Sequence, residues 1–282
     1  MHKQRGFTLI ELMIASLLGM IVMGGIMSLF TTTNRSITLM DAISQNQETG
    51  RFAMEYMTKF IREAGYSEDP MVTAPIVFGP VGKAGFANFV DCSGTWESAA
   101  CAANNPSNAR GDRLSIPFVV PLGQTKSSCT GTQVTGVAGT PYFVNVFWVS
   151  DASDTRRQLR CRTYDQGTKT WLDTPVTILN NVEYFEFQLG LAEQPSDRHA
   201  SRYVSVDTMV NDNQLLHVRS VRIAILTTSQ DSANLHQVQT NVEARTYGLL
   251  DAPFLTIDDG SLRNIFSNTI ELPNAIETAI YN

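Results

Sequence analysis

Apolar residues run almost without interruption from Phe7 to Phe30, and one acid, Glu11, sits inside the run. About 24 residues at 1.5 Å each make roughly 36 Å of helix. A bilayer core is about 30 Å thick, so the segment is long enough to span one. Beyond it the apolar positions thin to a helical period: Ile37, Met40 and Ile43, then Phe52/Ala53, Tyr56/Met57, Phe60/Ile61 and Ala64. No proline occurs before Pro70. The pattern predicts one helix from about Phe7 to Ala64, closed by Gly65 and roughly 85 Å long. Its front half has membrane length; its back half lays an apolar stripe on a soluble domain. Gly24-Gly25 is the weak point of the front half, since each glycine costs about 1 kcal/mol against alanine.

The texture changes from Glu68. Pro70, Pro75, Gly79, Pro80, Gly82 and Gly85 mark a loop-rich entry. Stretches rich in β-branched and aromatic residues then predict strands over Arg113–Val120, Tyr142–Val149, Gln158–Tyr164, Thr170–Leu179, Val182–Leu189, Leu215–Thr227 and Val238–Thr246. The alternation in Val182–Leu189 changes phase between Tyr184 and Phe185, which predicts a bulge there. Asn104–Arg110 and the Ser/Thr/Gly-rich Gly123–Gly139 read as soft linkers. The expected fold class is α+β, a long N-terminal helix packed on an antiparallel β-sheet globular domain. The expected organisation is a leader over residues 1–6, a helix over 7–65 whose first half, 7–30, is transmembrane, and a β-rich globular domain over 66–282.

Of the 282 residues 43% are hydrophobic and 17% charged, so the part beyond the helix can bury a core. The net charge of −6 argues against nucleic acid as the main partner. Lys3 and Arg5 precede the apolar run, which keeps that end cytoplasmic and sends the rest across the membrane. The four cysteines, Cys92, Cys101, Cys129 and Cys161, all lie beyond the apolar run. They form no Cys-x-x-Cys and have no histidine at metal-ligand spacing, so disulfides are the simpler reading in an oxidising compartment. Four cysteines admit three pairings; the favoured one is Cys92–Cys101 and Cys129–Cys161. The first closes a short Ser/Gly/Ala/Asn-rich loop, and Cys161 sits in a strand-like stretch suited to a staple between elements.

Catalytic patterns are missing. There is no Gly-x-Ser-x-Gly, no Walker phosphate loop and no His-Glu-x-x-His, and His199, His217 and His236 are scattered. No catalytic residue, metal ligand or cofactor is assigned. Asp151–Asp154 and Asp258–Gly260 lack the alternating ligands of a calcium loop and read as turns. Arg110-Gly111-Asp112 spells an integrin-binding tripeptide, but it stands in a turn before a strand, where Gly-Asp is expected anyway. Trp148 and Trp171 read as core residues, and Trp96, in the Cys92–Cys101 loop, as the best aromatic contact for a partner.

Glu11 is the anomaly that carries function. An acid inside a membrane helix costs about 2.5–3.5 kcal/mol on insertion scales and reads as functional by default. Gly6-Phe7-Thr8-Leu9-Ile10-Glu11 before a long apolar helix resembles the class III signal of type IV prepilins. The resemblance implies that a prepilin peptidase cuts between Gly6 and Phe7 and methylates the new amine of Phe7. Glu11 would then pair with the N-terminal amine of an adjacent subunit, a positive partner for a buried acid. Gln45–Met54, Phe60–Tyr66, Val218–Thr228 and Gly260–Phe266 are similar to the corresponding segments of PilW-type minor pilins. That resemblance implies a non-enzymatic assembly component, anchored in the inner membrane and later carried to the pilus tip. The partners it implies are other minor pilins, the major pilin and a tip adhesin. A type II secretion pseudopilin shares the architecture, and a membrane-anchored periplasmic protein that never assembles is the reading from a different class.

Overall fold

The computed structural model describes residues 6–66, 102, 111–137, 142–150, 157–208, 217–229, 244–258 and 261–275. Its first element is a 55-residue helix, α1 (Leu9–Glu63). The helix ends where the sequence predicts. Gly65 takes φ +76°, a left-handed conformation that glycine adopts without a Cβ clash. The Asn274 amide then donates to the carbonyls of Arg62 and Ala64, both at 3.1 Å, which occupies acceptors that the helix end leaves open. α1 runs through Gly24-Gly25 without a break.

The strands are β1 (Arg113–Val119), β2 (Thr125–Ser127), β3 (Gln133–Thr135), β4 (Tyr142–Val149), β5 (Gln158–Asp165), β6 (Thr170–Trp171), β7 (Val176–Asn180), β8 (Val182–Leu191), β9 (Arg202–Val204), β10 (Val218–Thr228), β11 (Arg245–Tyr247), β12 (Leu255–Ile257) and β13 (Arg263–Glu271). One sheet has the order β1-β4-β5, with β6 and β7 both paired to β5; the other has the order β13-β10-β8-β9. All strand pairs are antiparallel. Pro117 lies inside β1, an end strand of that sheet, the position where a proline is tolerated. The sheets meet where Gly111 bridges Phe185 and the Asp112 amide donates to the Phe185 carbonyl at 2.6 Å.

The main core lies between α1 and the two sheets. It joins Ala53, Met57, Phe60 and Ile61 of the helix to Leu114, Phe147 and Leu159 of one sheet and to Phe185, Phe187, Ile223 and Ile225 of the other. A second cluster, Tyr184, Ala224, Leu226 and Leu249, packs against Tyr247, Leu255 and Ile257 of the β11–β12 hairpin. The α+β class and the long helix on antiparallel sheet are therefore as the sequence predicts.

Several local expectations are corrected. The helix buries Ala42, Asn46, Gly50, Ala53, Met57, Phe60 and Ile61, whereas Ile37, Met40 and Ile43 are exposed, Met40 at 68%. The globular domain first reaches the helix near Ala42, so the earlier apolar positions have nothing beneath them. Where strands come closest the helix carries small or polar residues, and a Cβ on Gly50 would fall on the Phe266 ring. Thr170–Leu179 divides into β6 and β7. Asp173 between them turns inward and accepts from the Thr163 amide at 3.1 Å, and Pro175 has no N–H to offer a ladder. The bulge in β8 falls at Glu183, one residue before the predicted phase change. Gly123–Gly139 is no plain linker, since it contains the β2–β3 hairpin. The segments 67–101, 103–110 and 151–156, the front of Val238–Thr246 and the chain end from residue 276 lie outside the described residues.

Candidate assembly site

Thr8 takes extended backbone angles, φ −80° and ψ 151°, and caps α1. Its hydroxyl accepts from the Glu11 amide at 3.4 Å, while Glu11 Oε2 accepts from the Thr8 amide at 3.0 Å and from the Thr8 hydroxyl at 2.9 Å. This reciprocal pair is a capping box, which satisfies two N–H groups that a helix start leaves without partners. The Thr-x-x-Glu spacing was readable in the sequence but was overshadowed by the oddity of an acid in an apolar run. Glu11 thus has a structural task within its own chain, and Oε1 is not used by it. Gly6 and Phe7 lie before the cap, outside the helix, with Phe7 90% exposed. Both residues are exposed.

Behind the cap every residue from Leu9 to Phe30 is exposed. This is the one helix among the described residues long and apolar enough to cross a membrane. Its hydroxyl residues bond back to the helix: Ser16 donates to the Met13 carbonyl, and Thr31 and Thr32 to the Ser28 carbonyl, each at 2.9 Å. Such bonds remove the need for water around those groups.

The rear of α1 is held by polar contacts as well as apolar packing. Asn46 donates to the Leu262 carbonyl at 3.4 Å and accepts from the buried Thr227 hydroxyl. The Tyr56 hydroxyl donates to the Cys129 carbonyl at 2.5 Å. Cys129 is bonded to Cys161, as expected from the sequence, with Cα atoms 6.3 Å apart. The bridge staples the β2–β3 turn to β5. Around it the Asn145 carboxamide oxygen accepts from the Cys129 amide and the Thr163 hydroxyl, both at 3.1 Å. Cys92, Cys101 and Trp96 lie outside the described residues.

The remaining sequence candidates have structural tasks. Asp112 is 1% exposed, and its carboxylate accepts from the Phe187 amide at 3.1 Å. Gly111 sits at φ +86° against the Phe185 backbone. Gly111 and Asp112 thus lead into β1 as the turn reading of Arg110-Gly111-Asp112 expects, with the acid a rivet between the sheets; Arg110 lies outside the described residues. Trp148 is buried, and Trp171 packs under the Arg162 guanidinium at 4.5 Å. His217 Nδ1 lies 3.2 Å from the Ala192 carbonyl. No cluster of three or more metal-ligating side chains occurs among the described residues.

Residues 146–274 match the family model of the Type IV Pilus-assembly protein W, and residues 1–27 match the prokaryotic N-terminal methylation motif. The chain is also similar to a type IV-like pilin from Thermus thermophilus, at 16% identity and a TM-score of 0.40, over 84% of this chain and 96% of that one. None of the curated proteins matches it. The first match takes in β5 to β13 and the second the cap and the apolar run, and together they indicate a minor pilin of the type IV pilus, similar to the Type IV Pilus-assembly protein W family.

Proposed function

We propose that this minor pilin acts in the complex that initiates the filament and stays at its tip. A prepilin peptidase cuts Gly6 from Phe7 and methylates the Phe7 amine. The apolar front of α1 anchors the subunit in the inner membrane with the domain in the periplasm. Residues 1–6, 7–65 and 66–282 are then leader, helix and globular domain. On assembly the helix leaves the bilayer and bundles with those of other minor pilins and the major pilin, and the domain offers its sides to them and to a tip adhesin. The task is structural docking rather than catalysis.

One observation carries the reading: a wholly exposed, membrane-length helix continues as one rod into a helix seated in the domain. The capping box adds a detail. All its atoms belong to Thr8 and Glu11, so cleavage leaves it intact. Glu11 then stands fixed in the first turn, with Oε1 available to the amine of a neighbour.

Mass spectrometry of the mature protein tests processing. The expected N-terminus is N-methylated Phe7; an uncut Met1 or a cut elsewhere overturns the reading in favour of a simple anchor. Glu11→Ala is expected to be processed normally and to be incorporated at least tenfold less. Unchanged piliation by that variant would remove the docking role of Glu11.

A further inference from the structure

Three elements bring basic side chains to one cleft where α1 ends. Arg62 comes from the last turn of α1, Arg198 and His199 from the turn before β9, and Arg219 from β10. With Asn268 and Glu271 of β13 they line a cavity of about 540 Å³. In a chain of net charge −6 this is a local reversal of sign.

The cleft is built rather than incidental. Val218 and Ser220 of β10 face the adjacent residues Leu191 and Gly190 of β8, which leaves Arg219 as the extra residue of a bulge. Bulges re-aim side chains, and this one sends Arg219 under the 195–199 turn. Its Nε donates to the Asp197 carbonyl at 2.6 Å, its Nη1 to the Val218 carbonyl at 2.8 Å, and its Nη2 to the Pro195 carbonyl. Arg219 is 3% exposed, and its guanidinium, held by these carbonyls, forms a fixed positive floor. Arg62 and Arg198 are exposed at the rim, and the Asn274 bonds to the helix end fix the backbone that carries Arg62. Glu271, the one acid among the residues lining the cleft, stands 4.0 Å from His199. Three guanidinium groups therefore stand against two carboxylates, Glu271 in the lining and Asp197 beside Arg219.

We propose that the cleft binds an acidic peptide segment of a neighbouring subunit, taking its carboxylates between Arg62 and Arg198 over the Arg219 floor. Planar guanidinium forks suit paired carboxylate oxygens. A lipid headgroup is out of reach, because Arg62 lies about 48 Å along α1 from Phe30 at 1.5 Å per residue. A long polyanion such as nucleic acid is opposed by the acidic balance of the whole chain, whereas a short acidic segment meets only the cleft. The identity of the neighbour rests on the assembly reading above.

The test uses full-length protein in neutral-detergent micelles and a fluorescein-labelled hexaglutamate peptide followed by anisotropy. The expected result is saturable binding that weakens with added salt, falls at least tenfold in the double variant R62E/R198E and is unchanged in R245E, a reversal on β11. A hexaglutamine peptide is expected not to bind. Melting curves for R62E/R198E that match the wild type show that the fold is kept. No saturable binding to the wild type, or equal binding by R62E/R198E, overturns the proposal. Inorganic phosphate displacing the peptide mole for mole also overturns it, by assigning the cleft to a free anion. None of these outcomes touches the assembly reading, which is decided by the mature N-terminus and the piliation of Glu11→Ala.

Discussion

Glu186 of β8 is 1% exposed and lies beside Asp112. Burial first, and then the Asp112 charge, push its carboxyl up to about 10 from an ordinary 4.5. Asp251 adds a weaker repulsion, and Tyr184 hydrogen-bonds to it. The pair therefore holds one proton across the whole neutral range. Between the unfolded and folded values the native state keeps a proton that the unfolded chain has released. Stability contributed by this site is thus full below about pH 4.5 and is lost as pH rises toward 10. The slope approaches about 1.4 kcal/mol per pH unit. Denaturant unfolding in micelles is expected to give a lower midpoint at pH 8.5 than at pH 5.5, and Glu186→Gln is expected to flatten that difference. An equal pH dependence in the variant would place the proton elsewhere.

At the level of elements, the grip on α1 is made of close approaches. Gly50→Ala forces a methyl onto the Phe266 ring of β13 and is expected to cost about 1–3 kcal/mol in domain stability, read by denaturant midpoint. Breaking the Cys129–Cys161 bridge, which spans 32 residues, is expected to cost roughly 2–4 kcal/mol. Cys129→Ser/Cys161→Ser should also expose the 128–132 turn to proteolysis, since Tyr56 and the bridge both hold it. These elements show what the sequence could and could not disclose. The helix was legible because the long apolar run and Gly65 are local signals. Its true contact face was not, because Ala42, Asn46 and Gly50 are selected by the approach of β10 and β13, and no period of large apolar residues marks them. The β2–β3 hairpin was masked in the same way. Its Ser, Thr and Gly residues have linker composition, and it is a pairing of Thr125 with Thr135 and a disulfide that hold it. The cleft around Arg219 depends on a bulge, and β10 reads in sequence as an ordinary buried strand. Glu11 stood out in the sequence as an acid within an apolar run, but not as half of a cap.

For the whole molecule, the front of α1 and the globular domain are independent except through the rear of the helix. A Cβ at Gly24 or Gly25 would meet nothing within 4 Å, so packing within the subunit does not require either glycine. Replacing both by alanine is expected to leave the stability of the domain unchanged and to strengthen the isolated helix by about 1 kcal/mol per site. If this stretch loosens as the subunit enters a filament, the same double variant should incorporate more slowly. Amide exchange on assembled filaments should then find Gly24-Gly25 less protected than its flanks, and equal protection would dismiss that hinge.

The seat of α1 also decides how this protein takes a pull. The rod projects from one side, and its fastenings, Asn46 to Leu262 and Thr227, Gly50 against Phe266 and Tyr56 to Cys129, are strung along its length. Tension applied at Phe7 along the axis runs parallel to that row. The fastenings are loaded together, in shear, and must yield together for the rod to slide out. A sideways force on the front half would instead open the row from Ala42 onward, one contact at a time. The subunit is thus strong along the direction in which a bundle of such rods would be drawn, and weak across it.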